Sequence, residues 1–247
     1  MQTQKRRVMA KKEIVYEGIS YSLSYEILNL HQPKTLLFLH GWGSNKRVMK
    51  QAFGDCFSAY QHIYLDLPGF GDSSIQAVIN TATYVTIVRA FLEALHVKPV
   101  MVFGHSFGGK VATLLSPDVL VLLSSAGIVV PKSFKVRTKI ALFKFFKPLF
   151  PKGFYRFFAT KDVEGMSETM YEILKQVVNE DFTHHFLTCN AKTFIFWGKE
   201  DRATPLSSGE TIAHLIPQSR FFALEGDHFF FLKEGKRIET LLLESGF

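Results

Sequence analysis

Short runs of apolar residues recur along the chain, and turn residues bound each of them. The runs cover residues 35–39, 62–65, 100–103, 119–123, 193–197 and 220–224. Runs of this length are typical of strands that are buried on both faces, as in a parallel sheet. Residues 14–27 show a further pattern, which predicts two short strands joined near Gly18.

Helical patterns lie between these runs. In residues 81–95 the apolar positions recur with the 3.6-residue period of an amphipathic helix, and shorter helices are predicted at 107–115, 206–215 and 238–243. Buried strands that alternate with helices predict an α/β fold, a mostly parallel sheet with helices on both faces. Ligands of such sheets bind beyond the carboxyl ends of the strands.

One segment, residues 128–189, interrupts this alternation. Its first part is rich in Lys and Phe, and its second part is acidic and helical. Because the segment lies between two predicted strands, we interpret it as an inserted helical cap. The core domain is then formed by residues 1–127 and 190–247.

The basic charge is concentrated in two places. The chain has 247 residues and a formal net charge of +7. Residues 131–161 contain nine Lys or Arg and no acid, and the first twelve residues contain five more, also without an acid. The rest of the chain is acidic, so the two basic segments point to an acidic partner.

The composition favours a cytoplasmic protein. No apolar run has the length of a membrane-spanning helix, and no apolar segment of a signal peptide follows the basic N-terminus. The two cysteines, Cys56 and Cys189, are far apart in sequence and are expected to be reduced, although a single disulfide is an alternative.

Residues 104–108 read GHSFG and match the pattern G-x-S-x-G. They follow a predicted strand and precede a predicted helix, which is the context in which this pattern exposes a nucleophilic serine on a tight turn. Glycines on both sides let the backbone segments pass closely. Ser106 is therefore the candidate nucleophile. The alternative is a chance pentapeptide in an ordinary turn.

A serine nucleophile needs a base, and the base needs a group that orients it. Asp201 follows the run at 193–197, and His228 follows the run at 220–224, so both are expected at the strand ends near Ser106. The neighbouring Glu200 is a rival for the acid. The alternatives are a helix-capping Asp201 and a purely structural His228.

The sequence HGWG at 40–43 follows another predicted strand. Acyl transfer requires two backbone donors for the developing oxyanion, and we expect them to be the N–H groups of Trp42 and Phe107. An ordinary turn is the alternative. The loop DLPGFGDS at 66–73 is interpreted as structural, with Asp66 holding backbone N–H groups. His105 is expected to be a packing or hydrogen-bonding residue.

Five segments, HGWG, DLPGFGDS, GHSFGG, WGKEDRATP and GDHFFF, together resemble the α/β-hydrolase superfamily. The resemblance implies an eight-stranded sheet and a triad of Ser106, His228 and Asp201. Some members place the acid after the sixth strand, but residues 123–126 read LSSA here, which favours Asp201. The serine at position 106 excludes the members with an aspartate nucleophile, the dehalogenases and epoxide hydrolases.

Two branches of the superfamily look closest. The meta-cleavage-product hydrolases cut a carbon–carbon bond in 2-hydroxy-6-oxo-dienoates, and they usually have a proline-containing oxyanion loop, which HGWGSNK lacks. HGWGSN and DLPGFG are more similar to the carboxylesterase branch typified by the pimeloyl-carrier-protein methyl ester esterase.

The expected function is a cofactor-free serine hydrolase that cleaves a small-molecule acyl substrate with water. Ester hydrolysis is favoured, and carbon–carbon hydrolysis is the alternative. A non-catalytic binding protein on the same fold would lack a triad member, and none is missing. A peripheral membrane lipase is a third possibility, suggested by the Lys- and Phe-rich cap.

Lys132, Lys135 and Lys139 fall at helical spacing within the basic segment. We expect them to dock an acidic acyl carrier protein or an anionic membrane surface, and a solvated surface helix is the alternative. Nucleic acid is not an expected partner, because no binding module accompanies the charge.

Overall fold

A computed structural model of the chain describes residues 7–129 and 166–246. Within these residues eight strands form one sheet, in the order β1-β2-β4-β3-β5-β6-β7-β8. The strands are β1 Arg7–Tyr16, β2 Ile19–Leu28, β3 Thr35–Leu39, β4 Gln61–Leu65, β5 Met101–His105, β6 Val119–Leu123, β7 Lys192–Gly198 and β8 Ser219–Leu224.

The sheet is mostly parallel. β1 and β2 form an antiparallel hairpin, β2 pairs antiparallel with β4, and the pairs from β4 through β8 are parallel. The carboxyl ends of β3, β5, β6, β7 and β8 therefore meet at one edge of the sheet. This arrangement confirms the predicted α/β fold class and the eight strands.

Helices cover both faces of the sheet. They are α1 Lys46–Phe53, α2 Thr81–Ala94, α3 Phe107–Leu115, α4 Glu168–Val177, α5 Thr183–Leu187, α6 Leu206–Leu215 and α7 Phe231–Glu244. Successive strand residues point to opposite faces, so Leu37 packs in a cluster with α2 and α3, and Phe38 packs in a second cluster with α1 and α7. No helix in the described ranges is both long and apolar enough to span a bilayer.

Four elements differ clearly from the sequence-based expectation. The hairpin strands are ten residues each, longer than predicted, because all of β1 pairs with β2 at an edge where polar residues are tolerated. Helix α1 was not predicted. Its start is capped by Asn45, whose side chain accepts a hydrogen bond from the N–H of Arg47. Helix α7 begins seven residues earlier than predicted.

The described part of the predicted cap contains α4 and α5, which lie between β6 and β7 in the chain. Phe182 and Phe186 are buried, and the N–H of Phe182 donates to the carbonyl of Gly127. The buried Lys110 of α3 donates to the carbonyl of Val177 at 2.7 Å. Residues 130–165, with Lys132, Lys135 and Lys139, lie outside the described residues, so the domain boundaries stay a prediction.

Candidate active site

Ser106 lies on the turn between β5 and α3 with φ 50° and ψ −115°. A non-glycine residue rarely adopts a positive φ, and such strain persists where surrounding contacts over-determine the backbone. Here the N–H of Ser106 donates to the carbonyl of Leu123, and the carbonyl of Ser106 accepts from the N–H groups of Gly109 and Ala126. The side chain makes no capping hydrogen bond with α3. The turn therefore holds a half-buried serine at the helix N-terminus.

Close backbone packing explains the two glycines of the pattern. A Cβ atom on Gly104 would lie 2.5 Å from the carbonyl oxygen of Gly108, and one on Gly108 would lie 2.5 Å from the carbonyl oxygen of His40. Both contacts involve backbone, which cannot rotate away. Any larger residue at either position would displace the turn that carries Ser106.

His228 follows β8, and Asp201 follows β7. The Nδ1 atom of His228 lies 2.7 Å from Oδ2 of Asp201, and the carboxylate is fully buried while the imidazole is 16% exposed. Oδ1 of Asp201 accepts hydrogen bonds from the N–H groups of Ala203 and Thr204 at 2.8 and 2.9 Å. Burial acts to raise the pKa of Asp201, but the hydrogen bond and charge of His228 and the Thr204 amide outweigh it and lower the pKa to about 2.

The ionised carboxylate fixes the tautomer of His228. An ionised Asp201 can only accept hydrogen bonds, so the Nδ1 atom of a neutral His228 must carry the proton. The Nε2 atom then has a free lone pair and can act as a base. Glu200, the rival acid, has an exposed side chain.

Thr204 also contacts the His228–Asp201 pair, and the sequence did not predict this contact. Its hydroxyl lies 2.8 Å from Oδ2 of Asp201 and 3.3 Å from Nδ1 of His228. Because the carboxylate is the shorter and stronger acceptor, the hydroxyl donates to Asp201. The only sequence signal was its place three residues after the candidate acid.

His105 connects the serine turn to the loop of His228. Its Nε2 atom lies 3.0 Å from the carbonyl oxygen of His228, and the two imidazole ring centroids are 4.6 Å apart. Burial holds the pKa of His105 well below its usual range, so the ring is neutral and donates from Nε2 to this carbonyl. The hydrogen bond agrees with the role predicted for His105. Because His105 precedes Ser106 in the chain, the bond also brings the loop of His228 beside Ser106.

The HGWG loop lies against the serine turn. A Cβ on Gly41 would be 2.8 Å from Nδ1 of His105 and 3.0 Å from Cβ of Ser106, so a larger residue would press on the serine turn. The indole ring of Trp42 packs edge-on against Phe70 and Phe107, with ring centroids 4.9 and 5.6 Å away. The residues of the two predicted oxyanion donors, Trp42 and Phe107, are thus in contact beside Ser106.

Asp66 has the structural role expected of it. Its buried carboxylate accepts hydrogen bonds from the N–H groups of Lys46 and Asp72 at 2.6 and 3.0 Å, and it pairs with the Lys46 ammonium group at 2.5 Å. The loop after β4 is thereby attached to the first turn of α1, which follows the HGWG loop.

Comparisons with known proteins agree with this architecture. A model of the Alpha/beta hydrolase family matches residues 36–239. The match covers most of the chain, and the chain belongs to this family. The predicted enzyme class, an α/β-hydrolase-type enzyme, is confirmed at this level.

One curated relative is 2-succinyl-6-hydroxy-2,4-cyclohexadiene-1-carboxylate synthase of Klebsiella pneumoniae. It is 36% identical over 77 residues, which are 31% of this chain and 30% of the synthase. The alignment thus spans less than a third of the relative.

Two solved structures share the fold over nearly the whole chain. An esterase of Exiguobacterium antarcticum has a TM-score of 0.71 and 20% identity, covering 92% of this chain and 96% of the esterase. A meta-cleavage product hydrolase of Pseudomonas fluorescens IP01 has a TM-score of 0.67 and 20% identity, covering 94% and 96%. At these identities the similarity is evidence for the fold.

The hydroxyl of Thr204 can be tested separately from its shape. Thr204→Val keeps the branched side chain but removes the donor to Asp201, and a hydrogen bond to a charged group is worth about 1.5–3 kcal/mol. Because the two backbone N–H groups that donate to Asp201 remain, we expect the kcat of hydrolysis to fall by about ten-fold. Thr204→Ser retains the hydroxyl and should stay within about three-fold of wild type. Equal rates for Thr204→Val and wild type would contradict a role in holding Asp201.

Proposed function

We propose that the protein is a serine hydrolase that cleaves the carboxylic ester of a small acyl substrate with water. The nucleophile is Ser106, the base is His228 and the orienting acid is Asp201. The observation that carries the proposal is the hydrogen-bonded His228–Asp201 pair, whose loop is tied by His105 to the turn that holds Ser106 in a strained conformation.

The reaction follows from the tautomer of His228. Ser106 Oγ attacks the carbonyl carbon as its proton moves to Nε2 of His228, and the imidazolium is stabilised by Asp201. The tetrahedral oxyanion accepts hydrogen bonds from the N–H groups of Trp42 and Phe107. His228 then gives its proton to the leaving alcohol oxygen, and Ser106 is left acylated.

Deacylation repeats these steps with water as the nucleophile. His228 removes a proton from the water molecule, which attacks the acyl carbon of the Ser106 ester. The second oxyanion collapses, the Ser106 oxygen recovers its proton from His228, and the carboxylic acid leaves. These two half-reactions need only the substrate, the protein and water.

Carbon–carbon hydrolysis of a 2-hydroxy-6-oxo-dienoate is the alternative reaction on the same triad. A meta-cleavage product hydrolase has the same fold over 94% of this chain, so the fold is compatible with this reaction. The esterase of Exiguobacterium antarcticum shares the fold to a similar extent. The HGWGSN loop additionally favours ester hydrolysis, because it is more similar to the carboxylesterase branch. The cytoplasmic location stays a prediction.

Initial rates on three substrates separate the reactions. The panel contains a short nitrophenyl ester, a methyl ester linked to an acyl carrier protein and a dienoate diketone. Ester hydrolysis predicts the highest kcat/KM on one of the two esters. A kcat/KM at least about ten-fold higher on the diketone would replace the ester proposal by the carbon–carbon alternative, and no turnover of any substrate would count against both.

The basic segment gives a prediction about the partner. We propose that Lys132, Lys135 and Lys139 dock an acidic acyl carrier protein, since charge complementarity speeds encounter and is screened by salt. Reversing all three to Glu should slow hydrolysis of the carrier-linked ester by roughly ten-fold and spare a small neutral ester. Raising salt on wild type should have the same selective effect.

Two other outcomes of this experiment have defined meanings. Equal slowing of both substrates would show that the charge is not a docking surface. Binding of anionic vesicles that is lost in the triple variant, with the carrier-linked rate unchanged, would replace the carrier protein by a membrane surface.

A further inference from the structure

His40 stands at the end of β3, where the HGWG loop begins, and both of its ring nitrogens are occupied. The N–H of Leu67 donates to Nε2 of His40 at 3.1 Å, and Nδ1 lies 2.8 Å from the carbonyl oxygen of Gly41. The side chain is completely buried. Neither hydrogen bond involves a member of the triad.

The two partners of His40 fix its tautomer. Nε2 accepts a hydrogen bond, so it carries no proton. Burial lowers the pKa of His40 to about 4, so the ring is neutral near pH 7 and its one proton is on Nδ1. His40 therefore donates from Nδ1 to the carbonyl of Gly41, and this carbonyl also accepts from the N–H of Ser44 at 3.3 Å.

The orientation of the Gly41 carbonyl determines the orientation of the next N–H group. In a planar trans peptide the carbonyl of Gly41 and the N–H of Trp42 point in opposite directions. With the carbonyl tied to the buried His40 ring, the Trp42 N–H is directed away from that ring. Gly41 itself lies against Ser106, where its Cβ would be only 3.0 Å from Cβ of Ser106.

The loop is held at its other end as well. The N–H of Lys46 donates to Asp66 at 2.6 Å, and Leu67, the residue after Asp66, is the donor to His40. The segment between His40 and Lys46 is thus hydrogen-bonded at both ends to the loop that follows β4. A fixed frame of this kind is what an oxyanion donor needs, because preorganised donors require no reorientation during the reaction.

We propose that His40 is a positioning residue that aims the Trp42 N–H at the oxyanion, through the hydrogen bond from its Nδ1 to the Gly41 carbonyl. The inference rests on the proposed serine hydrolase mechanism. The two hydrogen bonds of His40 then have different effects. The bond to Gly41 acts on the transition state, and the bond to Leu67 holds the two loops together.

Two variants of His40 separate these bonds. In His40→Asn the side-chain amide can replace the Nδ1 donor to Gly41 but does not reach Leu67. In His40→Gln the longer side chain can accept from Leu67 but loses the Nδ1 position. We expect kcat on a nitrophenyl ester to fall by about 30- to 100-fold in His40→Gln, somewhat less than for complete loss of an oxyanion donor. His40→Asn should retain at least a third of wild-type kcat, and KM should change by less than about three-fold in both.

A tetrahedral inhibitor gives the second readout. A trifluoromethyl ketone adduct on Ser106 carries an oxyanion, so its affinity should fall in His40→Gln in proportion to kcat/KM and should be kept in His40→Asn. His62→Gln is the matched control, because His62 is also fully buried with both nitrogens hydrogen-bonded but lies near the start of β4. It should lower the melting temperature and leave kcat and inhibitor affinity unchanged.

The outcomes are distinct. Equal loss of kcat in His40→Asn and His40→Gln, or wild-type kcat in His40→Gln, would overturn the proposal. Full turnover by Ser106→Ala would instead remove the serine mechanism on which it rests. If the variants do not fold, histidine ¹⁵N spectra of the wild-type protein test the same point: the Nδ1–H tautomer should persist between pH 5.5 and 8, and the Nε2–H tautomer or a charged ring would overturn the inference.

Discussion

Replacing Ser106 by alanine should reduce kcat/KM on an ester substrate by about 10⁴-fold or more, because the members of a triad act as a unit and the oxyanion donors alone supply only residual catalysis. The fold should persist, since the turn is held by backbone hydrogen bonds to Leu123, Gly109 and Ala126. The measurement is steady-state hydrolysis of a nitrophenyl ester, with circular dichroism to verify folding.

Ser116→Ala is the matched control for this experiment. Ser116 is an exposed serine at the other end of α3, and it also has a positive φ of 53°. Its replacement should leave turnover unchanged. If Ser106→Ala kept more than about a tenth of wild-type activity, another residue would have to be the nucleophile.

Asp201→Asn should reduce kcat by about 10⁴-fold, and the cause is a change of tautomer. The N–H groups of Ala203 and Thr204 both donate to Oδ1, so the carbonyl oxygen of an asparagine is held there and its NH₂ group faces His228. His228 must then accept at Nδ1 and carry its proton on Nε2. That tautomer cannot take the proton of Ser106.

Glu200→Gln is the neighbouring control. Glu200 has an exposed side chain, whereas the Asp201 carboxylate is buried 2.7 Å from His228. The glutamine variant should retain most of the wild-type kcat. The reverse ranking of the two variants in the same assay would show that Glu200 is the acid.

The strand-end placement of the site could be predicted because local patterns determine it. Each predicted apolar run forms a strand, and Ser106, Asp201 and His228 each follow one. In parallel strands the carboxyl ends meet at one edge, so chain order was enough to bring these residues together. The contacts of Thr204 and His40 depend on hydrogen bonds between loops, for which the sequence has no periodic signal.

The early start of α7 shows where local patterns fail. Its first turn starts at Phe231 without a side-chain cap, and Gly235 lies in its interior, which lowers intrinsic helix propensity. The glycine is needed because α7 packs closely on α1, where a Cβ on Gly235 would clash with the carbonyl oxygen of Ala52. Tertiary packing therefore extends the predicted helix toward its N-terminus, across a glycine that the local sequence pattern does not favour.

The central claim, that Ser106 is the activated nucleophile, is tested most directly by covalent labelling. A fluorophosphonate should add one label per chain to the wild-type protein, and peptide mass mapping should locate it on Ser106. Labelling should be abolished in Ser106→Ala and strongly slowed in His228→Ala, which retains the serine but lacks its base. A label on any other residue, or an esterase-active protein that takes no label at Ser106, would contradict the account.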